Sequence, residues 1–226
     1  DGTVSFERIH FKPFSNLVLK NVVIIDDKPV IDKADSTCQA IDTLFRAKYL
    51  IADFSLKTLF GYEGIHMDEV TVKDAIMSLV LEDDTNTGKM SNNLTRMFKL
   101  DQIEKKEKTD KEIFKIAKVN IQNFTYVMKN YSSNKTPYYD GGMNWNDLEV
   151  SDIDLNASNL RFKGGVMSGS VSRLSFKEKS GYICEQMSGS ARVGNGLTHI
   201  TDLKLEDPWS VIRMPEGKLI YKGGVK

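Results

Sequence analysis

The residues able to do chemistry are few and badly spaced for it. The three histidines, His10, His66 and His199, lie in alternating, strand-like segments, with neither the i, i+4 spacing nor the Cys-x-x-Cys neighbours of a metal site. Each reads as a half-exposed strand residue, so no metal and no other cofactor is expected. The paired carboxylates Asp26-Asp27 and Asp83-Asp84 fall at strand ends, where acids serve as solvated turn residues, and a glycosidase would need two placed across a cleft. There is no Gly-x-Ser-x-Gly elbow and no phosphate loop. The chemistry therefore points away from an enzyme. Cys38 and Cys184 are open to two readings, a disulfide in an oxidising compartment or two buried thiols. Tyr138, Tyr139 and Trp145 share one long loop with Pro137, Gly141 and Gly142, and so form a candidate surface binding group or a set of rings that tuck the loop down.

The elements that would position any site are strands. In Ile65 to Asp84 the apolar residues keep a period of two, Val70 and Val72 on even positions, then Ala75, Met77, Leu79 and Leu81 on odd ones. Period two is the strand signature, because successive side chains leave opposite faces. The change of phase at Lys73-Asp74 requires a bulge, a bend or a very short turn. The same phrase returns in Leu17 to Ile24 and Val119 to Tyr126, and more loosely in Leu148 to Leu155 and Leu203 to Ser210. Each copy has Asp or Asn at the change, Asn21, Asp74, Asn123, Asp152 and Asp207, residue types that tolerate left-handed backbone. The copies are unevenly spaced, which argues against a solenoid.

The expected fold is mainly β: a curved, mostly antiparallel sheet of bent strands, forming an open trough or a sandwich, with one or two short helices. One helix is expected over Leu56 to Phe60, capped by Ser55. A second would carry Leu94, Met97 and Phe98 behind a cap at Asn92 or Asn93. Runs at Leu148 to Phe162, Val166 to Phe176, Tyr182 to Val193 and Leu197 to Leu205, separated by glycine-rich turns including Asn195-Gly196, predict an antiparallel meander. Two strands are expected over Ile113 to Met128, and the pattern weakens after Trp209. Residues 1–226 read as one all-β fragment of a larger protein, with a possible sub-boundary in the polar stretch 83–112.

Composition sets outer limits. Lys plus Arg and Asp plus Glu number 31 each, so no net field draws the chain to nucleic acid. No apolar run exceeds four residues, against the ~20 of a membrane helix, so no membrane span is expected within the fragment.

The segment from Thr43 through Asp84, with its strand, short helix ending at Gly61 and bent strand, resembles the AsmA-like superfamily, in particular the amino-terminal part of TamB-type translocation and assembly proteins of Bacteroidota. Ser5 to Ile24, Phe114 to Met128 and Ser180 to Ser210 are similar to that family as well. The resemblance implies a periplasmic section of an inner-membrane-anchored envelope protein whose sheet forms an apolar trough. Such proteins are implicated in phospholipid transport to the outer membrane or in assembly of proteins there. Phospholipid acyl chains and outer-membrane assembly proteins are the partners it implies. Val70, Val72, Val119, Ile121, Leu148 and Val150 are the candidate lining, and sandwich core is their alternative. A β-sandwich module that recognises glycan or protein through the aromatic loop is the competing function.

Overall fold

The computed structural model describes residues 2–12, 16–30, 41–54, 58, 64–84, 88–97 and 112–221. Its strands are β1 (Gly2–Ser5), β2 (Arg8–Lys12), β3 (Asn16–Val30), β4 (Ile41–Phe54), β5 (Ile65–Asp83), β6 (Met90–Asn92) and β7 (Glu112–Asn130). The meander that follows comprises β8 (Asp147–Lys163), β9 (Val166–Glu178), β10 (Ile183–Gly194), β11 (Leu197–Glu206) and β12 (Val211–Ile220). All twelve join one sheet, ordered β1-β3-β4-β5-β7-β8-β9-β10-β11-β12, with β2 beside β3 and β6 beside β5. The sheet is open, with no pairing between its two ends among the described residues. The sandwich alternative is thereby set aside.

Every described pairing is antiparallel except β5 with β7, which run parallel in register from Ile65↔Phe114 to Leu81↔Asn130. Neighbouring parallel strands need a long return. The polar stretch supplies it, so the strands on either side of that stretch are hydrogen-bonded neighbours.

β5 and β7 are each 19 residues long, about 60 Å at ~3.3 Å per residue. The two strands expected over Ile113 to Met128 are a single strand that bends without breaking. The bends carry the residues the phrase required: Asn21, Asp74, Asn123 and Asp152 have φ of 50°, 51°, 52° and 52°. At these angles a non-glycine side chain is crowded by backbone, and Asn and Asp bear this best. The fifth corner is not at Asp207. Asp202 holds the left-handed position in β11, with φ 53°. Asp207 instead organises the turn into β12, its carboxylate accepting from the backbone N–H groups of Trp209 (2.8 Å) and Ser210 (2.7 Å). Asn159, φ 54°, adds a corner within β8.

Two further departures have simple causes. β12 was hidden in the sequence by Pro215 and Gly217, both tolerated because this strand pairs on one side only. β3 runs on to Val30, past the Asp26-Asp27 pair expected at a strand end. At the opposite edge, β1 and β2 both pair with β3 and are separated at Phe6-Glu7, opposite the Asn21 corner.

Among the described residues helix is found in α1 (Asn93–Met97) and at Thr58. Asn92 caps it, its Oδ1 accepting from Thr95 N–H at 2.8 Å. Asn93 fills a gap where β5 lacks a strand partner: its Oδ1 accepts from Val80 N–H (3.0 Å) and its Nδ2 donates to Ser78 O (2.8 Å). Arg96 fastens the same turn to the buried carboxylate of Asp26 and to Glu82. The expected helix at 56–60 lies outside the described residues apart from Thr58, as do Phe98 and Cys38. Cys184 is a buried free thiol.

If left-handed backbone selects the corner residues, Asn159→Gly should leave stability nearly unchanged. Asn159→Val should cost about 1–2 kcal/mol in urea unfolding.

Candidate functional site

Directly opposed residues in a sheet share a face, so the pairing register reads out what each face presents. Val72 stands opposite Leu50 on β4 and Ile121 on β7. Leu50 faces Leu19, and Leu19 faces Ile9 at the β2 edge. In the other direction Ile121 faces Leu155, which faces Leu174 and then Met187. Met187 faces Leu205, and Leu205 faces Ile212 on the last strand. One apolar row thus crosses the sheet from edge to edge without a polar interruption.

The corners keep neighbouring rows on the same side. Before the bend, Val70 opposes Ala52 and Val119, and Val119 opposes Ala157. Beyond it, Ala75 opposes Ala47 and Phe124, and Phe124 opposes Ile153. Further out, Met77 and Val150 both oppose Tyr126. Burial pushes the phenol of Tyr126 above its usual value, as an apolar setting requires.

The six candidate lining residues are brought to this one face in two groups. Val70, Val72, Val119 and Ile121 form adjacent pairs on β5 and β7. Leu148 and Val150 lie on the far side of the corner, opposite Met128 and Tyr126. β8 runs antiparallel to β7, so the beginning of its phrase meets the end of β7's. The lining also includes the second half of each phrase, Ala75, Phe124 and Ile153, which sequence reasoning left out. The available signal was the constant face that a change of phase implies.

No second layer covers this face among the described residues. The fully buried apolar side chains are few, among them Val22, Ala47, Ala75, Val119, Leu148 and Ala157, while most of the central row is half-buried. The chain exposes 15067 Å². A compact protein of its 25.5 kDa exposes about 10,400 Å². Toward the meander the face deepens into an apolar depression of about 290 Å³ bordered by Leu160, Met167, Val171, Met187, Val193 and Ile200. Glycine makes the room: a Cβ at Gly169 would lie 2.4 Å from Leu160 Cδ2.

The opposite face is polar. Lys20, Tyr49, Lys73 and Gln122 form one cross-strand row there, with the Lys20 ammonium 5.3 Å from the centre of the Tyr49 ring. The corners are stitched along this side, Lys48 to Asp74 (3.8 Å) and Asn123 Nδ2 to Asp74 Oδ1 (2.8 Å). Asn123 N–H donates to Asp154 Oδ1 at 2.9 Å. At the sheet edge Asn21 Nδ2 donates to Glu7.

The aromatic loop does not tuck in. Tyr138, Tyr139 and Trp145 are 48%, 80% and 53% exposed. Asparagines hold the loop instead: Asn146 Oδ1 accepts from Thr136 N–H (2.9 Å), and Asn130 Oδ1 from the Ser132 hydroxyl (2.6 Å). Of the histidines, His66 lies 3.6 Å from Glu112 and His199 2.8 Å from Glu216. Among the described residues no group of three or more His, Cys, Asp or Glu is arranged to hold a metal ion, and no helix is long and apolar enough to cross a membrane. Neither a protein-family model nor a curated protein matches the sequence.

Where the aromatic loop enters β8, Asp147 meets Lys129 and, at 3.1 Å, Lys179. Desolvation opposes its ionisation, but the two ammonium groups outweigh that and hold the carboxyl below its ordinary value. A depressed carboxylate stabilises the fold fully above its unfolded value of about 3.9 and stops doing so as pH falls through the lower folded value. Asp147→Asn should therefore be less stable than the parent at neutral pH. The gap between their melting curves should close below about pH 4.

Proposed function

We propose that this chain is a non-enzymatic, lipid-conducting section of an AsmA/TamB-like envelope protein, working in the periplasm. The observation that carries the reading is the apolar row, continuous from Ile9 to Ile212, on a face that no second layer covers among the described residues. In water such a face costs about 25 cal/mol for each Å² left uncovered, far more than a folded chain normally leaves unpaid over a patch this size. Acyl chains suit it better than a rigid partner does. The row is long, smooth and chemically uniform, with no polar group to fix an orientation, and it permits sliding from strand to strand. The polar back, rich in Lys, Gln and Asn, keeps the opposite side in water. The role in outer-membrane phospholipid supply or protein assembly follows from the resemblance of the bent-strand phrase to that family.

Phospholipid should copurify with the protein expressed in a diderm host and be visible by native mass spectrometry and in solvent extracts. Introducing a charge in mid-row, Ile121→Glu or Leu155→Glu, should strip most of that lipid, while far-UV circular dichroism still reports β structure. Lipid-free protein, or charged variants that retain a full complement of lipid, would refute the reading.

A further inference from the structure

The polar face carries a second feature at the end of the sheet where β8 turns into β9 and β10 into β11. Lys115 stands directly opposite Arg161, and Arg161 opposite Ser168. Ser168 opposes Arg192, Arg192 opposes His199, and His199 opposes Lys218. Like charges face to face across a ladder destabilise it. A chain whose charges balance overall has nevertheless gathered cations along one row.

The nearby acids are already committed. Glu112 is engaged by Arg161 Nε and by His66, and Glu216 by His199 and Lys218. Arg192 and Lys163 have no carboxylate within ion-pairing distance among the described residues. With Arg161 they border a cleft of about 420 Å³ that also takes in Ser168 and Asn195 and contains no acidic residue. Asn195 Nδ2 donates to Gly164 O at 3.2 Å and so ties the two turns that frame it. A second hollow of about 300 Å³ shares Ser168 and Arg192 and continues over Ser170, Ser190 and Thr201.

We infer that this cleft binds a phosphoryl group. Arg161 and Arg192 flank Ser168 from the two adjoining strands, about 10 Å apart at ~4.8 Å per strand. Both side chains border the same cleft, so their guanidinium groups can reach a tetrahedral oxyanion held between them, and Glu112 is bonded by the Nε of Arg161. The terminal nitrogens remain for the anion. Short Ser168 leaves the floor open and offers a hydroxyl, and Lys163 adds a third positive charge from the rim. Oxygens of a phosphate match such a fork geometry in paired, charge-assisted bonds. The same group can come from an anionic lipid headgroup or from a soluble phosphate ester. This site lies on the face opposite the apolar row and stands whether or not that row carries lipid.

The test is a titration of the full isotope-labelled chain with inorganic phosphate, ionic strength held constant with chloride, read by NMR. Saturable shifts should centre on Ser168, Arg192 and Asn195. The double variant R161Q/R192Q should bind at least about tenfold more weakly, the loss expected for charge-assisted hydrogen bonds. The single variant R192K, which keeps the charge, should retain part of the affinity, and both variants should melt near the parent temperature. Vesicles containing phosphatidic acid separate the two sources. Binding that inorganic phosphate displaces identifies a headgroup, and phosphate binding without vesicle binding identifies a soluble ester. Shifts that do not saturate, or a double variant that binds phosphate as well as the parent, would overturn the inference.

Discussion

The structure depends on a single backbone choice repeated in successive strands: one residue placed in the left-handed region in the middle of a long strand. An ordinary strand would turn each apolar run over after an odd step and divide it between two faces. At Asn21, Asp74, Asn123 and Asp152 the left-handed residue absorbs that step. Val72 and Ala75 therefore remain on one face although three positions apart, as do Ile121 and Phe124. Asn and Asp meet the requirement because their short polar side chains accept this conformation at little cost. They also bond across the strands, as Asn123 does to Asp74, so the irregularity that bends the sheet also ties it together.

A sheet built this way becomes two-sided in an unusual degree. One face collects leucine, valine, isoleucine and methionine along rows that span every main strand, and the other collects lysine, arginine, serine and amides. Antiparallel sheets commonly show water one face, but they bury the other against a second layer. Among the described residues α1 is five residues long and packs beside β5 and β6, too short to cover more than one corner. The same alternation that makes an apolar trough makes the basic row on its back, because residues that flank an apolar position in sequence are forced to the opposite side. Phe162 and Met167 face one way, Arg161 and Ser168 the other.

Much of the fold was legible in the chain because period two and its changes of phase are local properties. The boundaries of β8 to β11 follow the alternating runs and their glycine turns, and four of the corners sit on the Asn or Asp that the phrase marked. Misreadings arose where a local cue served a different end. Asp207 closes a turn with Trp209 and Ser210 instead of bending a strand, and the weakened pattern after Trp209 is an edge strand, β12. Register was beyond reach, since it is decided by residues far apart in sequence. The parallel pairing of β5 with β7, the edge-to-edge row and the clustering of Arg161 with Arg192 all depend on it. The composition concealed the last of these, because a net charge of zero says nothing about how the charges are sorted between faces.

The parallel join also divides the molecule kinetically. On its amino-terminal side, β3, β4 and β5 pair with immediate neighbours, and on its carboxy-terminal side β7 to β12 do the same, so each half can assemble from short-range contacts. Among the described strands the β5–β7 pairing is what unites them, and that closure must bring strands together across the whole intervening return. Entropy makes long closures slow. Two ready-made ribbons waiting on one late zipper is the folding behaviour this topology imposes, and the zipper is also where the greasy surface becomes continuous.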